Sequence, residues 1–285
     1  MVHSAYLRWP QGKKLCLTFS YDDCVHQDER LCEMFKKAGA RATFNINSGS
    51  FHTEGEPYDP KRSSRRMTER EAVAFYSSCD LAEVACHSAH HGFLERQQPS
   101  VAIAEVLEDR KRLEKLFDRM VPGMAYPFGT YDETVIEILR LSGILYCRTT
   151  EVTHGFDLPK NWLAWPATCH HNDPRLFELA EQFVSPIAEG YSRLFYVWGH
   201  AFEFDRDGNW DRMEQFLQKV GNREDVWYAT NGEIYDYAEA WRALRYSGDM
   251  GRVYNPTCRD VWITYRKNDY RIPAGETTVI PEALE

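Results

Sequence analysis

The sequence predicts an α/β fold, a parallel sheet or barrel wrapped by helices, and two observations carry that prediction. Apolar runs of strand length alternate with amphipathic segments of helix length along most of the chain, the pattern of repeated βα units. The polar residues with chemical potential follow those runs, at the end where the βα loops of a parallel barrel gather. At 285 residues and 43% hydrophobic, one domain of this class can bury a full core.

Seven strands are expected, at about 15–20, 42–46, 81–86, 123–126, 144–148, 194–198 and 226–230. The first helix begins near Asp28 and stops at Gly39, and a later one opens on a capping box, Thr68-Glu69-Arg70-Glu71. The longest, about 100–120, sets Ile103, Val106, Leu107, Leu113, Leu116, Phe117 and Met120 on one stripe to pack against the sheet. Further helices start at Asp132, at Asp173-Pro174, at Asn209 and near Asn231, and the one from Asn209 ends at Gly221. From about Met250 the pattern changes to short strand-like pieces at 260–265 and 276–280, joined through Pro273 and Gly275. A catalytic domain over 1–249 with a small β extension, 250–285, packed on it is the expected organisation.

Composition narrows the partners. Thirty-four basic residues against 43 acidic give net −9, which argues against nucleic acid or an anionic membrane and favours an uncharged ligand. The N-terminal residues contain no apolar secretion signal and no membrane-length apolar run occurs, so a soluble cytoplasmic protein is expected. Eight cysteines without a C-x-x-C pair suit reduced, buried thiols. Eight Trp and sixteen Tyr suit a sugar cleft, but ordinary core packing is the better account of most of them.

The chemistry is concentrated in two places. Asp22-Asp23 follow the first strand, and His87 and His91 lie four apart after the third. On a helical turn, positions i and i+4 share a face, so the two imidazoles would close on one ion and a carboxylate would complete a three-ligand set with open positions. The acid left over beside such an ion is a general base. An isolated Asp-Asp pair is usually a solvated turn, but Tyr126-Pro127-Phe128-Gly129, Arg148 and His200 follow strands four, five and six at the same end. His90 would point about 100° away from its neighbours on a helical turn and is read as structural. His170 and His171 read as loop or rim residues, and His26 as a pocket neighbour.

These residues resemble the motifs of the polysaccharide deacetylases, the NodB-homology family of carbohydrate esterases (family four). Thr18-Phe19-Ser20-Tyr21-Asp22-Asp23-Cys24 is similar to that family's T-F-D-D-G with two residues inserted, and His87-Ser88-Ala89-His90-His91 matches H-[ST]-x-x-H. Ala125-Tyr126-Pro127-Phe128-Gly129 resembles R-x-P-[YF]-G except at its first position, and Tyr196-Val197-Trp198-Gly199-His200 resembles the strand that ends in the catalytic His. The resemblance implies a distorted seven-stranded (β/α) barrel, TIM-barrel-like, and a hydrolase that removes an N-acetyl or similar acyl group from an amino sugar in a polysaccharide, oligosaccharide or glycan precursor. It makes Asp22 the general base, His200 the general acid, and Asp23, His87 and His91 the ligands of one divalent metal. Zinc suits those donors, and cobalt, nickel or iron also fit. Tyr126, Phe128, Arg148 and Trp198 are expected to bind substrate, with the backbone N–H of Phe128 facing the oxyanion.

Three departures stand out. The family's arginine beside the base is Ala125 here, and Arg148 is the expected replacement. Cys24 stands where the family has glycine, so that turn is expected not to use positive φ freely. The acid and Trp that support the catalytic His have a loose counterpart in Asp157, Asn161 and Trp162. Alternative readings are a hydrolase of another non-peptide C–N bond, a non-haem iron(II) facial triad, and a sugar-binding protein with a decayed site.

Overall fold

The computed structural model describes residues 5–186 and 191–283. In chain order the main body contains β1 (Ala5–Arg8), β2 (Leu15–Asp22), α1 (Gln27–Lys37), β3 (Ala42–Ile46), α2 (Glu69–Ser78), β4 (Ala82–Cys86), α3 (Pro99–Phe117), β5 (Gly123–Ala125) and α4 (Glu133–Leu141). It continues with β6 (Tyr146–Val152), β7 (Trp165–Ala167), β8 (Cys169–His170), α5 (Leu176–Val184), β9 (Arg193–Gly199), α6 (Phe202–Asp207), α7 (Trp210–Val220), β10 (Val226–Tyr228) and α8 (Asn231–Arg242). Every residue of β2 is buried, as befits a central parallel strand covered on both faces. Thr68 and Thr230 open α2 and α8 with capping boxes, and the Asp132 side chain caps α4.

The strands β2 to β10 form one sheet in which all neighbouring strands run parallel, and β1 lies outside it. β2 pairs with β3 on one side and β9 on the other, and β4, β5 and β6 follow β3. β7 pairs with β6 and β8 with β9, and only Thr168 separates β7 from β8. The strand order therefore returns on itself through residues 165–170, giving a seven-membered (β/α) barrel. It is distorted: β4 and β5 share a single register pair, and the β6–β7 ladder shifts between Arg148 and Val152.

The seventh place in the ring is not taken by the strand expected at 226–230. That strand forms as β10 but pairs with Leu15–Leu17 of β2, outside the ring and beside the stretch of β2 that pairs with β3. Residues 165–170 fill the place instead; two short pieces, one of them holding Pro166, give too little alternation to read as a strand. The stripe of α3 is also rotated from expectation. Ala102, Val106, Asp109, Leu113 and Phe117 are buried, whereas Ile103 is exposed and Met120 lies beyond Asp118, whose left-handed φ of 48° ends the helix.

The remaining strands are β11 (Arg245–Tyr246), β12 (Arg252–Tyr254), β13 (Val261–Tyr265), β14 (Asn268–Ile272) and β15 (Thr277–Val279). They form two small sheets, β11-β12-β15 and β1-β13-β14, so the expected extension recruits the N-terminal strand and residues 245–246. A separate apolar cluster, with Val253, Val261, Ile263, Tyr265 and Ile272, fills the space beneath them.

Candidate active site

Asp22 is the last residue of β2, buried, and directly opposite Asn45 of β3. Asn45 Nδ2 donates to Asp22 Oδ1 at 2.7 Å, and Arg148 Nη2 donates to Oδ2 in a fully buried ion pair. Arg148 lies within β6, in register with Ala125 of β5. The cation missing at position 125 is thus supplied from the neighbouring strand at the same height. The Trp198 ring lies 4.5 Å from its guanidinium carbon and braces it. Burial pushes the Asp22 carboxyl up, but the charges of Arg148, His87 and His200 and the Asn45 amide outweigh it and bring it down to about 2.

The chain bends sharply after Asp22. Asp23 has φ 84° and Cys24 φ 53°, so the turn does use the left-handed region without glycine, at a backbone strain on the order of 1–3 kcal/mol each. The bend aims Asp23 toward His91, whose Nε2 is 3.9 Å from Asp23 Oδ1. His87 and His91 are not on a helical turn. They sit in a loop after β4 in which Ser88 and His91 take φ of 54° and 55°, and that loop, rather than i,i+4 periodicity, brings their rings to 4.7 Å. Asn47 Nδ2 donates to the carbonyls of His87 and Ser88, and Asp109 accepts from the backbone N–H of His87 at 2.9 Å and of Ser48 at 2.7 Å. His90 turns away and pairs with Glu105, as expected.

The donor atoms of Asp23, His87 and His91 lie within 4.8 Å of one another. His87 Nδ1 is 2.8 Å from the Ala125 carbonyl, which fixes the proton there and leaves Nε2 with a lone pair. That Nε2 is buried and has no hydrogen-bond partner, as a metal-directed nitrogen would be. Burial lowers His87 to about 4 and lowers His91, keeping both imidazoles neutral. The set fits a divalent ion with positions left open.

His200 follows β9, with Nε2 3.7 Å from Asp22 Oδ2 and Nδ1 3.5 Å from Glu203 Oε2. Burial lowers its affinity for a proton, but Glu203, Asp22 and Asp23 outweigh burial and raise it. Glu203 also meets His170 Nε2 at 3.0 Å and His171 Nε2 at 3.4 Å. Asn172 N–H donates to His170 Nδ1, which leaves the His170 proton on Nε2 to bond Glu203. The acid beside His200 is therefore Glu203. Asp157 is exposed, Asn161 caps Leu163, and Trp162 donates to Glu239; none of these contacts involves His200.

The expected substrate contacts divide. Phe128 holds φ 59° and keeps its ring half exposed, edge-on to His91 and stacked on Phe93 at 3.8 Å. The following Gly129 takes φ 73°, where a Cβ would strike the Thr150 side chain at 2.0 Å. The Tyr126 ring is buried and its hydroxyl bonds the Leu163 carbonyl, so its side chain belongs to the core. Arg148, with no exposed surface, is occupied by Asp22 and not available to substrate. Trp198 keeps a sliver of exposure, 9%, and serves mainly as packing. His26 bonds Tyr58. Sequence reasoning missed Asn45, Asn47, Arg66, Asp109 and Glu203, since single polar residues outside a motif carry no periodic signal.

Residues 8–147 match the family model described as polysaccharide deacetylase. Over these residues, just under half of the chain, the sequence is similar to the polysaccharide deacetylase family. The match contains Asp22, Asp23, His87 and His91 and ends one residue before Arg148. Among solved structures, a putative polysaccharide deacetylase from Mycobacterium smegmatis is 16% identical, over 85% of this chain and 96% of that one, with TM-score 0.58. A variant of a CE4-family pseudoenzyme from Bacillus anthracis is 15% identical over 81% and 70%, with TM-score 0.50. The Streptococcus pyogenes deacetylase PplD, 20% identical over 52% of this chain, is matched over 61% of its own length with TM-score 0.44. None of the curated proteins matches. At such identities the likeness speaks to the fold, which deacetylases and a pseudoenzyme share.

Proposed function

We propose that this protein is an active, metal-dependent hydrolase that removes an N-acetyl or similar acyl group from an amino sugar. The observation that carries the reading is the environment of Asp22: Arg148 replaces the missing arginine, Asn45 holds the other oxygen, and the fitted ligand set lies alongside. A decayed site has no need of a buried cation relocated to a neighbouring strand, so this supports catalysis over mere sugar binding.

When bound to Asp23, His87 and His91, a divalent ion, zinc in this reading, supplies the positive charge that activates water and polarises the acyl carbonyl. Asp22, ionised throughout the neutral range, takes the water's proton. The N–H of Phe128 faces the oxyanion of the substrate, and the half-exposed Phe128 ring meets the sugar. His200, protonated on Nε2 and held from behind by Glu203, gives its proton to the departing amine. The substrate class is an N-acetylated amino sugar in a polymer, oligomer or precursor.

The test is acetate release from N-acetylglucosamine oligomers by zinc-loaded protein, with metal content measured in parallel. Asp22→Asn and His200→Ala should keep the metal and lose activity on the order of 10²–10⁴-fold, the range for a positioned base or acid. His87→Ala should lose the metal itself. Full activity in Asp22→Asn would reverse the roles of the two neighbouring acids.

A further inference from the structure

Arg66 stands against the ligand carboxylate. Its Nη2 donates to Asp23 Oδ1 at 2.6 Å, and the same oxygen is the one 3.9 Å from His91 Nε2. Its Nη1 donates at 3.0 Å to Asn47 Oδ1, while Asn47 Nδ2 holds the carbonyls of His87 and Ser88. One guanidinium therefore ties the turn carrying Asp23 to the loop carrying both histidines. The backbone fixes it there: Arg66 forms an isolated bridge with Val25, Met67 N–H donates to the Cys24 carbonyl, and Tyr58 OH donates to the Arg66 carbonyl.

Such an arrangement has two opposed consequences. Asp23 is the one charged member of the ligand set and is largely buried, so a carboxylate there requires a cation. A guanidinium supplies it, and also presets the spacing of the ligand loops. A divalent ion placed among Asp23, His87 and His91 calls on the same oxygen and meets a second positive charge beside it. Each cation lowers the value of the other, and the coupling is reciprocal.

We propose that Arg66 is a resident counter-cation of the metal site: it holds the ligand loops together on its own and competes with the metal for Asp23, so that metal binding is weakened and exchange eased. The inference rests on the ligand set given above. A merely structural arginine would act differently, because its loss would weaken both the fold and the metal.

The experiment measures the Zn2+ dissociation constant by chelator competition, and the melting temperature of the metal-stripped protein, for wild type, Arg66→Met and Arg66→Gln. Arg66→Met should bind Zn2+ more tightly, by about tenfold, within the usual span of coupling between sites. The stripped variant should melt below the stripped wild type. Arg66→Gln, which retains hydrogen bonding and drops the charge, should tighten binding in the same direction and serves if the methionine variant does not fold. Binding that is unchanged or weaker in both variants overturns the proposal and leaves Arg66 an orienting residue. His87→Ala separates the two readings: if it binds Zn2+ as wild type does, the ligand set is wrong and the role of Arg66 falls with it, whereas loss of Zn2+ there without tightening at Arg66 removes only the latter.

Discussion

Asp22 has its Oδ2 between three cationic or potentially cationic groups, and Arg148 is the nearest of them. In Arg148→Met the carboxyl loses its main stabilising charge while burial still pushes it up, so it titrates at higher pH. The acidic limb of the pH–rate profile should move upward and activity near neutrality should fall, with metal content unchanged; an immobile limb would mean that Asn45 and the histidines suffice to hold the base. At His200 the sign is opposite. Glu203 favours the imidazolium, so Glu203→Gln should let burial dominate and lower the pKa. The basic limb of kcat/KM should then shift to lower pH, while a mere loss of packing would lower the whole curve without moving it. Both partners lie outside the motifs that make the site legible. Arg148 was legible in advance because strand ends share a height in a parallel barrel; Glu203 was not, because the acid follows the histidine on α6 rather than arriving from another strand.

The elements around the site contain their own titrations. Asp28, in the first turn of α1, accepts from Val25 N–H and Tyr76 OH, and burial outweighs both bonds to push it up to about 7. Asp109 in α3, which supports the His87 loop, is raised to about 7 for the same reason. A carboxyl whose folded pKa lies above its unfolded value near 4 stabilises the native state fully below that unfolded value, and the contribution is lost as pH rises through about 7. The denaturant midpoint should therefore fall from pH 5 to pH 8, and fall less in Asp28→Asn; an equal fall in the variant would remove Asp28 as a source. Asp109 keeps part of the dependence in place. The α3 result also explains a misread face: helical periodicity counts apolar residues, and here a buried acid occupies the centre of the stripe.

At the scale of the whole molecule, the first and last parts of the chain are joined. β1 pairs with β13 through all four of its residues, Arg8 is buried with its carbonyl bonded by Tyr237 OH, and its guanidinium pairs with Asp269. Deleting residues 1–8 should expose the β13 edge and the apolar cluster beneath it. We expect a lower melting temperature and a larger species by size-exclusion chromatography, since an open strand edge invites pairing. A deletion variant that melts and elutes as the full chain does would show that the small sheets hold without β1. No helix among the described residues is long and apolar enough to cross a membrane.

The residue order alone established the alternation of strands and helices, the capping box at Thr68, and the convergence of Asp22, Asp23, His87, His91 and His200 at one end of the sheet. Those features are local or repeat with a fixed period, and a period can be read along a line. Folding in three dimensions settled what no period records. It closed the barrel through Trp165–His170, set the His87–His91 loop by left-handed residues at 88 and 91, and brought Arg66 onto Asp23 across 43 positions of sequence. These are contacts between distant segments, chosen by burial and charge balance in the folded state. A buried carboxylate accepts whichever cation the packing can deliver, and the sequence does not say from which strand or loop it will come.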